Sequence, residues 1–109
     1  QRGIRGRVGL EYKEGFDGLE LGFMLGADYQ NRGYAYEACR AVLTYGIEEL
    51  GIACFYAFVN ENNTASIRLC ERLGFMKIKH VKLPGLQFDE KNFVNKIVEK
   101  EFVCYAYET

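Results

Sequence analysis

A six-residue run with the chemistry of a phosphate-binding turn lies in the first third of the chain. The run Gln30-Asn31-Arg32-Gly33-Tyr34-Ala35 follows a strand-like segment and opens a helix-like one. A helix start carries backbone N–H groups without partners and the positive end of the helix dipole. Gly33 and Ala35 are small enough to let a phosphate reach those N–H groups, and Arg32 adds a positive charge. The run therefore predicts a diphosphate cradle, with an ordinary strand-to-helix turn tightened by glycine as the alternative.

Other phosphate motifs and metal motifs are missing from the sequence. No Gly-Lys-Ser/Thr follows the run, and no G-x-G-x-x-G fingerprint occurs, which excludes a P-loop and a dinucleotide site. The four cysteines form no C-x-x-C pair and have no close histidine. We therefore expect no metal site and interpret the cysteines as small, buried, reduced thiols. They are Cys39, Cys54, Cys70 and Cys104.

Composition bounds the class of protein. A chain of 109 residues forms at most one small domain. Its 14 basic and 15 acidic side chains nearly cancel, which argues against nucleic acid as the main partner. No apolar run approaches the roughly 20 residues that cross a bilayer, and no signal peptide is visible. These features predict a globular cytoplasmic protein with no membrane partner.

Hydrophobic periodicity predicts a hairpin followed by a strand-helix-strand unit. Residues 8–12 and 19–26 alternate apolar and polar positions on either side of a Gly/Asp turn, as antiparallel strands do. Residues 35–50 then carry a helical stripe that Gly51 ends. The continuous apolar run at 53–59 predicts a strand buried on both faces, and its crossover connection predicts parallel pairing with the second strand.

The rest of the chain predicts a second helix and two more strands. Asn62, Asn63 and Thr64 supply helix-cap chemistry, and Gly74 ends the apolar stripe that follows them. A strand from residue 75 to 83 is expected to close at Pro84, and the last strand is expected at 97–107. The predicted order is β-β-α-β-α-β-β, an α/β fold with a mixed sheet.

Two segments resemble one known family. Gln30 to Ala35 matches the Q/R-x-x-G-x-G/A signature of the GNAT N-acetyltransferases, and its continuation to Ala38 resembles the G-Y-A-x-E-A of the branch that acetylates ribosomal-protein N-termini. Val59 to Ser66, followed by Leu73-Gly74-Phe75, resembles that branch's N-x-x-S…L-G-F block. Both motifs stand at expected element boundaries and in the family's order.

The resemblance implies acetyl-coenzyme A (acetyl-CoA) as cosubstrate and a primary amine as acceptor, either a protein N-terminus or a small polyamine or drug. The second strand would pair its backbone with the pantetheine arm, the helix start would take the pyrophosphate, and the next helix start would lie near the thiol end. A backbone N–H near Leu25 would stabilise the oxyanion. The implied cofactor-binding residues are Met24, Leu25, Gly26, Gln30, Asn31, Arg32, Gly33, Tyr34, Ala35, Asn63 and Ser66.

Three side chains are candidates for proton transfer. Glu20 lies on the cofactor strand, on the face opposite Leu19 and Leu21, and could take a proton from an ammonium directly or through water. A solvated strand carboxylate is the alternative for Glu20. Many family members place a tyrosine five residues before the Phe of the G-F pair as proton donor, and here that position is Cys70. Ser66 is the other candidate donor, or simply a residue of the helix first turn.

The family fold normally begins with a strand, two helices and another strand, which this sequence does not match. We therefore expect a partial domain whose first hairpin has a free edge and an uncovered apolar face. Such a surface predicts a homodimer formed through Val8, Leu10 and Tyr12, with Leu21 and Phe23 contributing. The alternatives to an N-acetyltransferase are a catalytically silent acyl-CoA-binding module or fragment, and a small α/β interaction domain without ligand.

Overall fold

The computed structural model describes residues 6–25 and 34–109. Within them a five-stranded sheet has the order β1-β2-β3-β5-β4. The pairing of β2 with β3 is parallel, and the other pairings are antiparallel. This confirms the predicted mixed α/β sheet and the predicted order of its elements. The elements are β1 (Gly6–Tyr12), β2 (Leu19–Leu25), α1 (Tyr34–Glu48), β3 (Cys54–Val59), α2 (Thr64–Leu73), β4 (Met76–Asp89) and β5 (Val94–Glu108).

The two parallel strands are joined only at their starts. In the described chain, Leu19 pairs with Phe55 and Glu20 pairs with Tyr56, whereas β2 continues to Leu25 and β3 to Val59. A Cβ at Gly18 would overlap the carbonyl of Cys54, so glycine permits the close approach just before this pairing begins. Beyond it the strands part, which opens a gap in the middle of the sheet.

Both described helices pack on one face of the sheet. The core between them and the strands includes Leu21, Leu43 and Phe55, each at most 1% exposed. Helix α1 comes very close to the sheet at Gly46, where a Cβ would lie 2.9 Å from the Phe55 ring. The prediction that Leu21 is exposed is therefore wrong, because α1 covers β1 and β2. Val8, Leu10 and Phe23 are half-buried against the same core.

The opposite face of the sheet is more open than the sequence predicted. On β3, Phe55, Ala57 and Val59 are buried, while the alternating Tyr56 and Phe58 are only half-buried. The prediction of a strand buried on both faces is therefore wrong. The physical reason is that the described helices cover one face alone, so the apolar run at 53–59 is solvated in part on the other.

The helix ends follow the predicted cap chemistry. Gly51 has φ 69°, and the Ile52 N–H donates to the Gly46 carbonyl over 3.0 Å. The Asn63 side chain accepts from the Ser66 N–H at the start of α2, and Gly74 ends that helix with φ 98°. Positive φ favours glycine, so both helix terminations were readable from the sequence.

The last two strands form a longer hairpin than predicted. β4 continues through Pro84, which pairs with Glu99, and the turn lies between Asp89 and Val94. The prediction that Pro84 closes the strand is wrong. β4 is an outer strand of the described sheet, and an outer strand has one hydrogen-bonding side free, so it tolerates a residue without an N–H. Among the described residues, no helix has the length and apolar character needed to cross a membrane.

Candidate functional site

The predicted phosphate cradle is described in part. Tyr34 and Ala35 form the first turn of α1, so the helix begins where the sequence predicted. Ala35 is 6% exposed and has no side chain beyond Cβ that could fill the space around the helix start. Gly26, Gln30, Asn31, Arg32 and Gly33 lie outside the described residues, and their roles stay predictions.

The β2 backbone has one occupied edge and one edge that faces the gap. Met24 and Leu25 pair with Arg7 and Gly6 of β1 on one side. On the other side, the described pairing with β3 ends at Glu20. An extended ligand with amide groups can pair with such an edge as an added strand does. This geometry could accommodate the pantetheine arm that the family resemblance implies beside Met24 and Leu25, and those roles stay predictions.

The start of α2 lies at the carboxyl end of β3. The Ser66 N–H donates to Asn63 Oδ1 over 3.1 Å, which caps the helix. Ser66 is half-buried and Asn63 is exposed. Because β2 and β3 are parallel, their carboxyl ends lie at the same edge of the sheet, and the segment before α2 borders the gap on the β3 side. The two residues keep their predicted place near the cofactor's thiol end as a hypothesis.

Glu20 lies at the last described pair before the gap opens, on the face opposite the helices. Its carboxylate forms an ion pair with the ammonium of Lys13, and Lys13 Nζ lies 3.4 Å from Glu20 Oε1. The Glu20 side chain is 20% exposed, so it is sheltered but reachable. Its cross-strand neighbour is Tyr56. A carboxylate that already holds a primary ammonium at this place has the contact a general base for amines requires.

The turn between β1 and β2 folds across the open face of the sheet, which the sequence did not predict. The Phe16 ring lies 4.9 Å from the Tyr56 ring and 5.1 Å from the Phe58 ring, measured between centroids. The Tyr56 hydroxyl donates to Asp17 Oδ1 over 2.7 Å. An open cavity of about 410 Å³ results, lined by Gly15, Phe16, Asp17, Tyr56, Ile78 and Lys79.

Tyr56 is a site residue that sequence reasoning missed. Its hydrogen bond to Asp17 raises the pKa of the Tyr56 phenol. Loss of the proton would break this bond and leave a negative phenolate beside the Asp17 carboxylate. The phenol therefore stays protonated at neutral pH and holds the turn against β3. The alternation of Tyr56 and Phe58 in the sequence places them on one face, but nothing local connects that face to the turn at 13–18.

Cys70 lies in the core, packed with Cys39 and Leu73 between α1, α2 and the sheet. Burial raises the pKa of Cys70 to about 12, and the neighbouring Cys39 and Glu71 act in the same direction. Burial likewise raises the pKa of Cys39 to about 11. All four cysteines are free, as predicted, but the prediction that all four are buried is wrong for Cys54, which is half-buried. A proton-donor role for Cys70 stays a prediction that would require it to act from a fully buried position.

No group of histidine, cysteine, aspartate or glutamate side chains within the described ranges has the arrangement of a metal site.

Comparisons with known proteins agree on one family. The family described as "Acetyltransferase (GNAT) domain" matches residues 1–76. The N-acetyltransferase 9-like protein of Nematostella vectensis is 32% identical over 83 residues, which cover 73% of this chain and 42% of that protein. The uncharacterized N-acetyltransferase YnaD of Bacillus subtilis is 34% identical over 58 residues, or 53% of this chain and 34% of YnaD.

The fold has solved counterparts in the same class of proteins. The structure of ribosomal-protein-S5-alanine acetyltransferase from Vibrio fischeri superposes with a TM-score of 0.72 at 17% identity, covering 96% of this chain and 54% of that one. This likeness shows a shared fold. The chain is a member of the GNAT acetyltransferase family. It spans about half or less of the length of these relatives.

Proposed function

We propose that this chain carries the acetyl-CoA-binding part of an N-acetyltransferase that acts on a primary amine. The observation that carries the proposal is the gap between β2 and β3. It offers an edge of β2 to an extended amide-bearing arm. The sequence at and just before the start of α1 carries Arg32, Gly33 and Ala35, residue types that suit an anion site at a helix N-terminus. The family uses acetyl-CoA as its acetyl donor, and an open strand edge suits the amide groups of its pantetheine arm.

The proposed reaction places each described residue in one role. Acetyl-CoA supplies a thioester carbonyl that an amine can attack. Glu20 takes a proton from the acceptor ammonium, directly or through water, and so produces the neutral nucleophile. A backbone N–H near Leu25 stabilises the developing oxyanion. The half-buried Ser66 is favoured over the fully buried Cys70 as the source of the proton that the thiolate takes up, because a donor must reach the leaving group.

The acceptor class within primary amines is a finer proposal. The motifs from Tyr34 to Ala38 and from Val59 to Phe75 favour the branch that acetylates ribosomal-protein N-termini. The likeness to the Vibrio fischeri enzyme, at 17% identity, supports the fold and leaves the acceptor to experiment. A cytoplasmic location and the absence of nucleic acid and membrane partners also stay predictions.

Isothermal titration calorimetry with CoA and acetyl-CoA tests the cofactor site. We expect binding by the wild-type chain and none by Gly33→Glu, which places bulk and negative charge at the predicted pyrophosphate position. Thr44→Glu adds the same charge on the exposed side of α1 and should bind normally. Ligand at about 100 times its dissociation constant should stabilise the fold by about 2.7 kcal/mol. Equal binding by Gly33→Glu and wild type would contradict the assignment.

A thiol-release assay with a panel of amines and N-terminal peptides tests the chemistry. CoA release that depends on the amine supports an N-acetyltransferase. Binding of acetyl-CoA without release, across the whole panel, would instead support the silent acyl-CoA-binding module. If the chain binds no acetyl-CoA at all, the remaining hypothesis is a small α/β interaction domain without ligand.

A further inference from the structure

One lysine of this chain, Lys13, lies beside the proposed general base, Glu20. Lys13 Nζ lies 3.4 Å from the Glu20 carboxylate and 5.2 Å from the centroid of the Phe58 ring. A carboxylate on one side and an aromatic face on another are the contacts by which proteins hold alkylammonium groups. The Lys13 side chain is 31% exposed, so the amine is sheltered without being sealed off.

The Lys13 amine also lies close to the point at which β2 and β3 part. Glu20 belongs to the last described pair between β2 and β3, the point from which the two strands part. The Lys13 amine therefore lies at the mouth of the space that is proposed to hold the acetyl donor. The turn that carries Lys13 is held over this face by contacts of the Phe16 ring with the two aromatic rings of β3. The hydrogen bond between Tyr56 and Asp17 holds it as well.

We propose that Lys13 is a site of self-acetylation. The inference rests on the proposed function, because the acetyl group comes from acetyl-CoA. The Glu20 carboxylate takes one proton from the Lys13 ammonium, and the neutral Nζ attacks the thioester carbonyl. A C–N bond forms, the C–S bond breaks, and the departing CoA thiolate takes up the second proton, which the nitrogen loses as it becomes an amide. Glu20 then passes the first proton to water. The product amide is uncharged, so the ion pair with Glu20 is lost and Glu20 is released to serve an external amine.

Lys79 provides a matched control within the same cluster. Its Nζ lies over the Phe16 ring at 5.4 Å, so it shares the aromatic surroundings of Lys13. The structure gives Lys13 a carboxylate partner, Glu20, and gives Lys79 no ion pair among the described residues. Nonspecific chemical acetylation would modify exposed lysines such as Lys79 at least as fast as Lys13, whereas base-assisted transfer favours Lys13.

The experiment is incubation of the whole chain with acetyl-CoA, followed by intact-mass measurement and peptide mapping. We expect one acetyl group at Lys13, with a rate per chain that does not change when the protein is diluted. Glu20→Gln should slow the modification by about 10²–10⁴-fold, the usual contribution of a general base. Lys13→Arg should remove it, and Lys79→Arg should leave it unchanged.

The outcomes separate this inference from the proposed function. If external amines release CoA while Lys13 stays unmodified, the inference fails and the proposed function stands. Equal acetylation of Lys13 in wild type, Glu20→Gln and urea-unfolded chain would also overturn it, since no folded site would be involved. Absence of acetyl-CoA binding in calorimetry would overturn both. Circular dichroism of each variant confirms that a loss is not caused by unfolding.

Discussion

The guanidinium carbon of Arg72 lies 4.4 Å from the centroid of the Tyr36 ring, joining the last turn of α2 to the first turns of α1. The second helix thereby supports the end of the first helix at which the phosphate cradle is predicted. A double-mutant cycle with Arg72→Ala and Tyr36→Leu should give a coupling energy of about 0.5–1 kcal/mol, as partly exposed cation–π pairs do. Urea unfolding of the four chains measures it, and additive effects would mean that the contact contributes nothing.

Gly46 sets the distance between α1 and the sheet. An alanine Cβ there would lie 2.9 Å from the Phe55 ring and 3.0 Å from Leu10 Cδ1. Alanine favours a helix by about 1 kcal/mol over glycine, but overpacking a full core costs about 1–3 kcal/mol. We expect Gly46→Ala to lower the free energy of unfolding, because the Phe55 ring is fully buried and cannot move away freely. Thr44→Ala on the exposed side of α1 is the control and should leave stability unchanged or raise it.

The buried thiols should make stability fall at high pH. Burial raises the pKa of Cys39 to about 11 and that of Cys70 to about 12, from an ordinary 9.0. Above about pH 9 the thiols of the unfolded chain lose protons while the native thiols keep them. The unfolded state then binds fewer protons, so the free energy of unfolding decreases as pH rises towards the native pKa values.

The double variant Cys39→Ala/Cys70→Ala isolates that effect. It should be less stable at pH 7, because two core side chains become smaller, and its stability should fall less steeply between pH 9 and 11. Denaturant unfolding at several pH values measures both slopes, with tyrosine and lysine titration common to the two proteins. Parallel curves for wild type and variant would show that these thiols ionise equally in both states.

Self-association through β1 stays a prediction, now with a narrower contact surface. β1 is an outer strand of the described sheet, and Tyr12 at its end is 75% exposed. Leu21 no longer belongs to the expected interface, because α1 covers it. We expect sedimentation at micromolar concentration to show a dimer, and Tyr12→Glu to weaken it by placing a charge at the exposed end of the edge strand. Thr44→Ala should leave the dimer intact. A monomer across the concentration range would contradict the prediction.

Local chemistry made much of this fold readable in advance. Alternation placed Glu20 opposite Leu19 and Leu21, and glycine at 51 and 74 fixed both helix ends, since these signals depend on neighbours in the chain. What the sequence could not supply was contact between distant segments. The turn at 13–18 folds over β3, so the pairs Lys13–Glu20 and Asp17–Tyr56 depend on tertiary packing that no periodicity encodes.

The same distinction explains the errors. An apolar run predicts burial without indicating which face is covered, so it predicts a core position for Tyr56, which is only half-buried. A proline predicts the end of an inner strand, yet Pro84 lies on an outer one. In each case the residue type indicates a local preference. The face or edge of the sheet on which the residue lies depends on distant segments, which neighbouring residues do not specify.

Pro84 makes the two outer strands of the described sheet, β1 and β4, unequal in their ability to pair with an added strand. β4 is 14 residues long, and Pro84 leaves it without a continuous row of N–H donors for another strand. Lys77, Lys79 and Lys82 add repulsion between like copies along the same strand. β1 carries neither proline nor such a lysine series over Gly6–Tyr12. Within the described sheet, a strand from another segment or chain would therefore pair more readily beside β1 than beside β4.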